Sequence, residues 1–187
     1  MRLFLAIDIP PAARDALAGV QKAFQSLDLK AAWVPPANVH LTLKFLGETH
    51  PGLVPELKTR MQHSAGQSHR FSLSLGAVGV FPHWRNPRVL WVGMEDPEGG
   101  LPPLIRCIED ETAAMGFERD DRAKVPHLTL ARIKSPRGKG RLKERAEALE
   151  PMTAAPFEVA SFQLIESELS RQGSRYTTLA RFALADK

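Results

Sequence analysis

Two identical tetrapeptides, His40-Leu41-Thr42-Leu43 and His127-Leu128-Thr129-Leu130, carry the residue types best suited to proton transfer in this chain. The second begins 87 residues after the first (40 to 127). Imidazole gives and takes protons near neutral pH, and a hydroxyl can donate a hydrogen bond to an anion. In an extended strand successive side chains point to opposite faces. Each copy would therefore present one imidazole and one hydroxyl together, with two leucines anchoring the strand from behind. Two such strands side by side would gather two imidazoles and two hydroxyls around one cleft. One His-x-Thr-x segment is ordinary in a half-buried strand, where threonine is favoured. The repetition, which uses two of six histidines, points to chemistry.

The elements that must position these groups can be read along the chain. Residues 2–9 predict a buried strand ended by Pro10-Pro11, and Leu17, Val20 and Phe24 lie at helical spacing within a helix over 12–27. A short strand over 31–34 leads to the first motif strand, 40–46, which Gly47 stops. A second helix over 53–61 precedes a strand over 70–80, in which Phe71, Leu73 and Leu75 alternate. Residues 81–87, with Phe81, Trp84 and Arg85 among prolines, form a loop before a strand over 88–94. A third helix over 101–115 ends near Gly116. The second motif strand spans 125–133, and a basic loop and a short charged helix over 142–149 follow. Strands over 157–166 and 176–184, with a turn at Gly173, finish the chain.

No glycine-rich phosphate loop and no regular run of parallel crossovers occurs. The expectation is an α+β protein, one domain over 1–187, in two lobes near 1–94 and 95–187 with the cleft between them.

The 187 residues suffice for a core without staples. Apolar residues at 43% and charged residues at 25% are ordinary for a globular protein. A net charge of +4 is compatible with a polyanionic substrate. The lone Cys107 excludes an internal disulfide and a cysteine-based zinc site. Residues 1–9 are interrupted by Arg2 and Asp8 and fit neither a signal peptide nor a membrane span. These features lead to the expectation of a cytoplasmic monomer away from membranes.

Beyond the tetrapeptides, several segments resemble one family in the right order. They are Arg2-Leu3-Phe4-Leu5-Ala6-Ile7, the stretch from Asn38 to Gly47, the stretch from Pro87 to Gly93, and Pro126 to Arg132. Ser167-Glu168-Leu169, Gly173 and Tyr176 to Leu179 complete the set. The chain resembles the 2H phosphoesterases, in their RNA 2′,3′-cyclic phosphodiesterase (2′-5′ RNA ligase-like) branch. The resemblance implies a bilobal fold of two antiparallel sheets with flanking helices, related by pseudo-twofold symmetry around a central cleft. It implies hydrolysis of an RNA or nucleotide 2′,3′-cyclic phosphate to a 2′-phosphate, with no metal and no cofactor.

Such a reaction needs water activated on one side of phosphorus and the leaving 3′ oxygen protonated on the other. His127 is expected to activate water and His40 to protonate the leaving oxygen, although the symmetry of the motifs leaves these roles exchangeable. Thr42 and Thr129 would hold the phosphate oxygens. The resemblance makes Arg132 a phosphate contact. Strand parity opposes this, because positions 127 and 132 differ by an odd number, so a bend near Ala131 is required. Lys44 has the parity of His40 and Thr42 and is expected at the cleft. Phe4, Phe81 and Trp84 are candidate surfaces for a base, and the cluster from Lys134 to Arg141 could steer an RNA backbone.

Three rivals stand beside this reading. A histidine metal site lacks a carboxylate or cysteine near either motif. A non-enzymatic RNA-end-binding module would favour arginine or lysine at the histidine positions. Reversible 2′-5′ RNA ligation would use the same site.

Overall fold

The computed structural model describes residues 1–120, 125–134, 140–149, 155–170 and 173–186. The elements in order are β1 (Arg2–Asp8), α1 (Pro11–Gln25), β2 (Ala31–Trp33), β3 (His40–Glu48), α2 (Val54–Gly66), β4 (Phe71–Phe81) and β5 (Val89–Glu95). Then follow α3 (Leu101–Ala113), β6 (His127–Ile133), α4 (Gly140–Ala148), β7 (Phe157–Val159), β8 (Ser161–Ser170) and β9 (Gly173–Ala183). Single turns of 3-10 helix precede β3 and α2. The fold is α+β. Among the described residues no helix is long and apolar enough to cross a membrane.

Nine strands follow the order β7-β4-β5-β6-β3-β1-β8-β9, with β2 beside β6. Every strand pair is antiparallel. The expected two antiparallel sheets are recognisable as β4-β5-β6 and β3-β1-β8-β9. They meet along β3 and β6 through one Cα pair, Leu41 with Leu128, so they run on as a single curled sheet. The order is palindromic about this seam. The β1–β3 pair mirrors β5–β6, and β8 beside β1 mirrors β4 beside β5.

The expected lobes at 1–94 and 95–187 do not coincide with the two sides of the seam. β4 and β5 belong to the first half of the chain but flank β6, whereas β8 and β9 from the second half extend β1. The reason is strand exchange: each half contributes strands to the sheet of the other, so no cut in the chain separates them.

The helices cross over in the same way. α1 buries Ala13, Leu17, Val20 and Phe24, a stripe at helical spacing. Its Gln21 Nε2 donates to the carbonyls of Val34 (2.7 Å) and Leu130 (3.0 Å), tying α1 to β6. α3 lies beneath β3 instead, where Lys44 and Glu109 form an ion pair. Leu41, Leu43, Leu128 and Leu130 are all buried in the main core. Full burial of such side chains contributes about 1.5–3 kcal/mol each, which anchors both motif strands to the core.

Two boundaries differ from expectation for local reasons. The segment predicted as one strand over 157–166 breaks at Ala160, because β7 pairs with β4 while β8 pairs with β1. α2 runs on to Gly66 because Ser64 and Ala65 are buried on its inner face.

Candidate active site

Antiparallel register through Leu41–Leu128 sets the motifs head to tail. One step either way, His40 lies across from Thr129 and Thr42 across from His127. The leucines go to the core, and the histidines and threonines remain partly accessible on the opposite face. The four motif residues thus meet on one surface where the two halves of the sheet join.

The imidazoles are held alike. Nδ1 of His40 is 2.8 Å from the carbonyl of Asn38, and Nδ1 of His127 is 2.7 Å from the carbonyl of Val125. A carbonyl oxygen only accepts, so Nδ1–H donates in both rings. Nε2 is then the nitrogen left for chemistry on each. Asn38 is itself pinned, since its side-chain amide donates to the carbonyl of Ser174 at 3.0 Å. β9 therefore helps to orient His40.

Aromatic rings back each histidine. Phe4 stacks on His40 with centroids 4.7 Å apart and planes at 29°. Tyr176 meets His40 edge-on at 5.3 Å and touches Phe4 at the same separation. On the other side Phe81 meets His127 edge-on at 4.8 Å, with Trp91 at 6.0 Å. Burial pushes the His40 pKa below its ordinary value, against the opposing effects of the Asn38 carbonyl and the Asp8 carboxylate.

Trp91 can take its place because its neighbours lack side chains. Gly79 pairs with Trp91 across β4 and β5, and a Cβ on Gly79 would lie 2.2 Å from the indole. Neither Trp91 nor Tyr176 was singled out as a site residue from sequence. The signal available was the correspondence of Trp91 with Phe4, each the third residue of an aligned strand.

A bulge resolves the parity of Arg132. Opposite Leu90 stands Ala131, and opposite Trp91 stands Thr129, so Leu130 is the extra residue in β6. Alternation resets there. Ala131 turns to the core, and Arg132 emerges exposed on the side of Thr129.

The same device in β3 corrects the expectation for Lys44. Ala6 pairs with Thr42 and Leu5 with Lys44, leaving Leu43 as the extra residue. Lys44 is consequently turned inward. It is 3% exposed, ion-paired with Glu109, and donates to the carbonyl of Glu118 at 2.8 Å. It does not reach the cleft. Phe45 takes the outward place and is 68% exposed.

Phe4 also departs from its expected role as a base-stacking surface. It is buried, and its face is taken by His40. Phe81 lies beside His127, but Trp84 packs against the main core. Of the basic cluster from Lys134 to Arg141, residues 135–139 lie outside the described residues. Among the described residues no three side chains of His, Cys, Asp or Glu converge to hold a metal ion.

Comparison with known proteins bears on this geometry. The family model for LigT-like phosphoesterases matches twice, over residues 7–91 and 92–176. The RNA 2′,3′-cyclic phosphodiesterase of Methanothermobacter thermautotrophicus is 35% identical over 98% of this chain and 99% of its own. The Escherichia coli RNA 2′,3′-cyclic phosphodiesterase is 31% identical over 98% of this chain and 96% of its own. Among solved structures, a protein of Thermus thermophilus superposes with a TM-score of 0.82 at 30% identity, covering 98% of both chains. The E. coli LigT complex with 3′-AMP gives 0.75 at 31% identity, covering 98% of this chain and 97% of that one. The double family match follows the palindrome of the sheet, one copy for each motif strand, and the chain belongs to the LigT-like branch of the 2H phosphoesterase family.

Proposed function

We propose that this protein is an RNA 2′,3′-cyclic phosphodiesterase that opens the cyclic phosphate to a 2′-phosphate without a metal ion. The observation that carries the reading is the matched pair of imidazoles, each fixed through Nδ1 to the carbonyl two residues before it. Relatives of that name over nearly the whole chain support it.

The chemistry follows from the chain's own groups. His127 Nε2 takes a proton from water as the oxygen attacks phosphorus. The P–O3′ bond breaks, and His40 Nε2 gives its proton to the departing oxygen. Thr42 and Thr129 donate to the non-bridging oxygens, whose negative charge grows in the transition state. Arg132, on the same side, adds a fixed positive charge. Burial lowers the His40 pKa in the free site, and an arriving phosphodiester anion opposes that shift by favouring the imidazolium that the acid role requires.

The test is hydrolysis of a 2′,3′-cyclic nucleotide and a short RNA with a cyclic phosphate end, in EDTA, with 2′- and 3′-phosphate products resolved. A 2′-phosphate formed by wild type and lost in both His40→Ala and His127→Ala is the expected result. Absence of turnover by folded wild type, or turnover abolished by EDTA, would sink the reading.

A further inference from the structure

The strands around the seam carry almost no negative charge. Residues 29–47, 71–94 and 125–134 contain no aspartate or glutamate. They span all of β2, β4 and β6, and β3 and β5 up to their last residues, Glu48 and Glu95. Both of these carboxylates lie at the end of the sheet away from Arg132, because β3 and β5 run antiparallel to β6. An anionic chain that starts at the motif threonines is therefore drawn along β6 toward its C-terminal end.

Cations gather at that end. β2 and β6 pair as Ala31 with Ile133, Ala32 with Arg132 and Trp33 with Ala131. The ladder continues one step further, where the N–H of Lys134 donates to the carbonyl of Lys30 at 2.8 Å. Ala131 and Ile133 are buried, so alternation turns Arg132 and Lys134 to the opposite face, that of Thr129. Across from them stand Ala32 and Lys30, and all four residues are exposed. Three are cations, and the fourth carries only a methyl group, which leaves the ground between them open. None of Lys30, Arg132 and Lys134 has an ion-pair partner among the described residues. Arg14, Arg60, Arg70 and Arg119, by contrast, are each held by a carboxylate. Like charges directly opposite on neighbouring strands destabilise a sheet. Lys30 and Lys134 are such a pair, and a bound anion relieves it.

Resting on the phosphodiesterase reading above, we propose that Lys30 and Lys134 bind the phosphodiester immediately upstream of the cyclic end, so that the RNA leaves the site over the end of β2 and β6. Lys134 lies two residues beyond Arg132, about 6.6 Å along the strand, a step that one nucleotide of an extended chain spans. A lysine ammonium is a point charge on a flexible stem and fixes a phosphate without reading a base. The site thus takes polynucleotide ends in preference to mononucleotides, whichever histidine is the acid. Lys30 precedes Lys134 by 104 residues (30 to 134), and only the pairing of β2 with β6 brings the two together.

The test compares wild type with the double variants Lys30→Ala/Lys134→Ala and Lys30→Arg/Lys134→Arg. The substrates are adenosine 2′,3′-cyclic phosphate and the dinucleotide adenylyl-adenosine 2′,3′-cyclic phosphate, which adds one phosphodiester. The alanine variant should lose about tenfold in kcat/KM on the dinucleotide and be unchanged on the mononucleotide, and the arginine variant should keep the wild-type values. The slope of log kcat/KM against log salt on the dinucleotide should become shallower by about 0.7, the contribution of one neutralised phosphate in a single strand. An uncharged methylphosphonate at the internucleotide position should cost wild type the same factor and the alanine variant nothing further. Equal losses on both substrates, no loss on either, or a full methylphosphonate penalty in the alanine variant would each overturn the proposal. Inactivity of folded wild type on both substrates would fail the phosphodiesterase reading instead. Calorimetric binding of the two 2′-phosphate products would then decide the lysines separately: a loss of affinity in the alanine variant for the dinucleotide alone is expected, and equal affinities for wild type and variant would refute their role.

Discussion

Leu41 is paired with Leu128 across the contact between β3 and β6, and this one pair joins the two halves of the sheet. It sets His40 across from Thr129 and Thr42 across from His127. Each imidazole thus shares one face of the sheet with the hydroxyl of the other motif. Replacing either histidine by alanine should lower kcat by about 10²–10⁴-fold, the usual range for a general acid or base. Thr42→Val and Thr129→Val should each cost about 10²–10³-fold, as for loss of a donor to a transition-state anion. Steady-state kinetics with circular dichroism as a folding control would check both. A threonine variant with unchanged kcat would remove that hydroxyl from the mechanism.

The environment of His40 predicts a pH signature. Its pKa lies below the ordinary value of 6.5 because burial disfavours the charged ring. If His40 is the acid, kcat/KM, which reports the free protein, must lose activity on the alkaline side at a lower pH than an ordinary histidine would. The alkaline limb of kcat should lie higher, since bound phosphate favours the imidazolium. Asp8→Asn removes a group that raises this pKa and should move the kcat/KM limb further down. A limb that stays put in Asp8→Asn would show that another group titrates there.

The sign for stability is the reverse of the familiar paired histidine. The unfolded ring protonates near 6.5 while the folded ring resists until lower pH. More protons are then bound in the unfolded state, so stability attributable to His40 is full above the unfolded value and is lost as the pH falls from there through the lower folded value. Thermal denaturation of wild type and His40→Gln from pH 8 to about pH 5 should show a shallower decline in the variant. Parallel curves would refute the assignment.

Lys44 and Glu109 make a separate, structural prediction. Their side chains are 2% and 9% exposed. Lys44→Met alone removes the cation from a buried ion pair and should destabilise the protein by about 3–5 kcal/mol. Adding Glu109→Gln should recover much of this. KM should not change in the double variant if Lys44 is remote from substrate, and a selective rise in KM would return Lys44 to the site.

Gly79→Ala probes the seat of Trp91. The added methyl would overlap the indole, so the ring beside His127 must move. A loss of about 1–3 kcal/mol in stability is expected, with a fall in kcat beyond what the stability loss explains. Urea denaturation and kinetics on the same sample separate the two. Wild-type values for both would mean that the ring shifts without consequence.

The motif strands, their inward leucines and the α+β class were legible because alternation and helical spacing are local properties of the chain. His40, Thr42, His127 and Thr129 could be named for the same reason: repeated residue types in a strand report their common face. Parity failed only where a bulge intervened. Arg132 is exposed on the side of Thr129 and Lys44 is inside because Leu130 and Leu43 are each one residue too many for the strand opposite. That excess exists only in the pairing of strands distant in sequence, so no local pattern contains it. Phe45 was hidden by the same bulge, and Phe4 proved to be the backing of His40. Which half of the chain supplies which strand was likewise settled by tertiary structure. β4 and β8 exchange across the seam because each edge of β5 and β1 needs a hydrogen-bonding partner, and the partner comes from whichever segment the whole fold brings alongside.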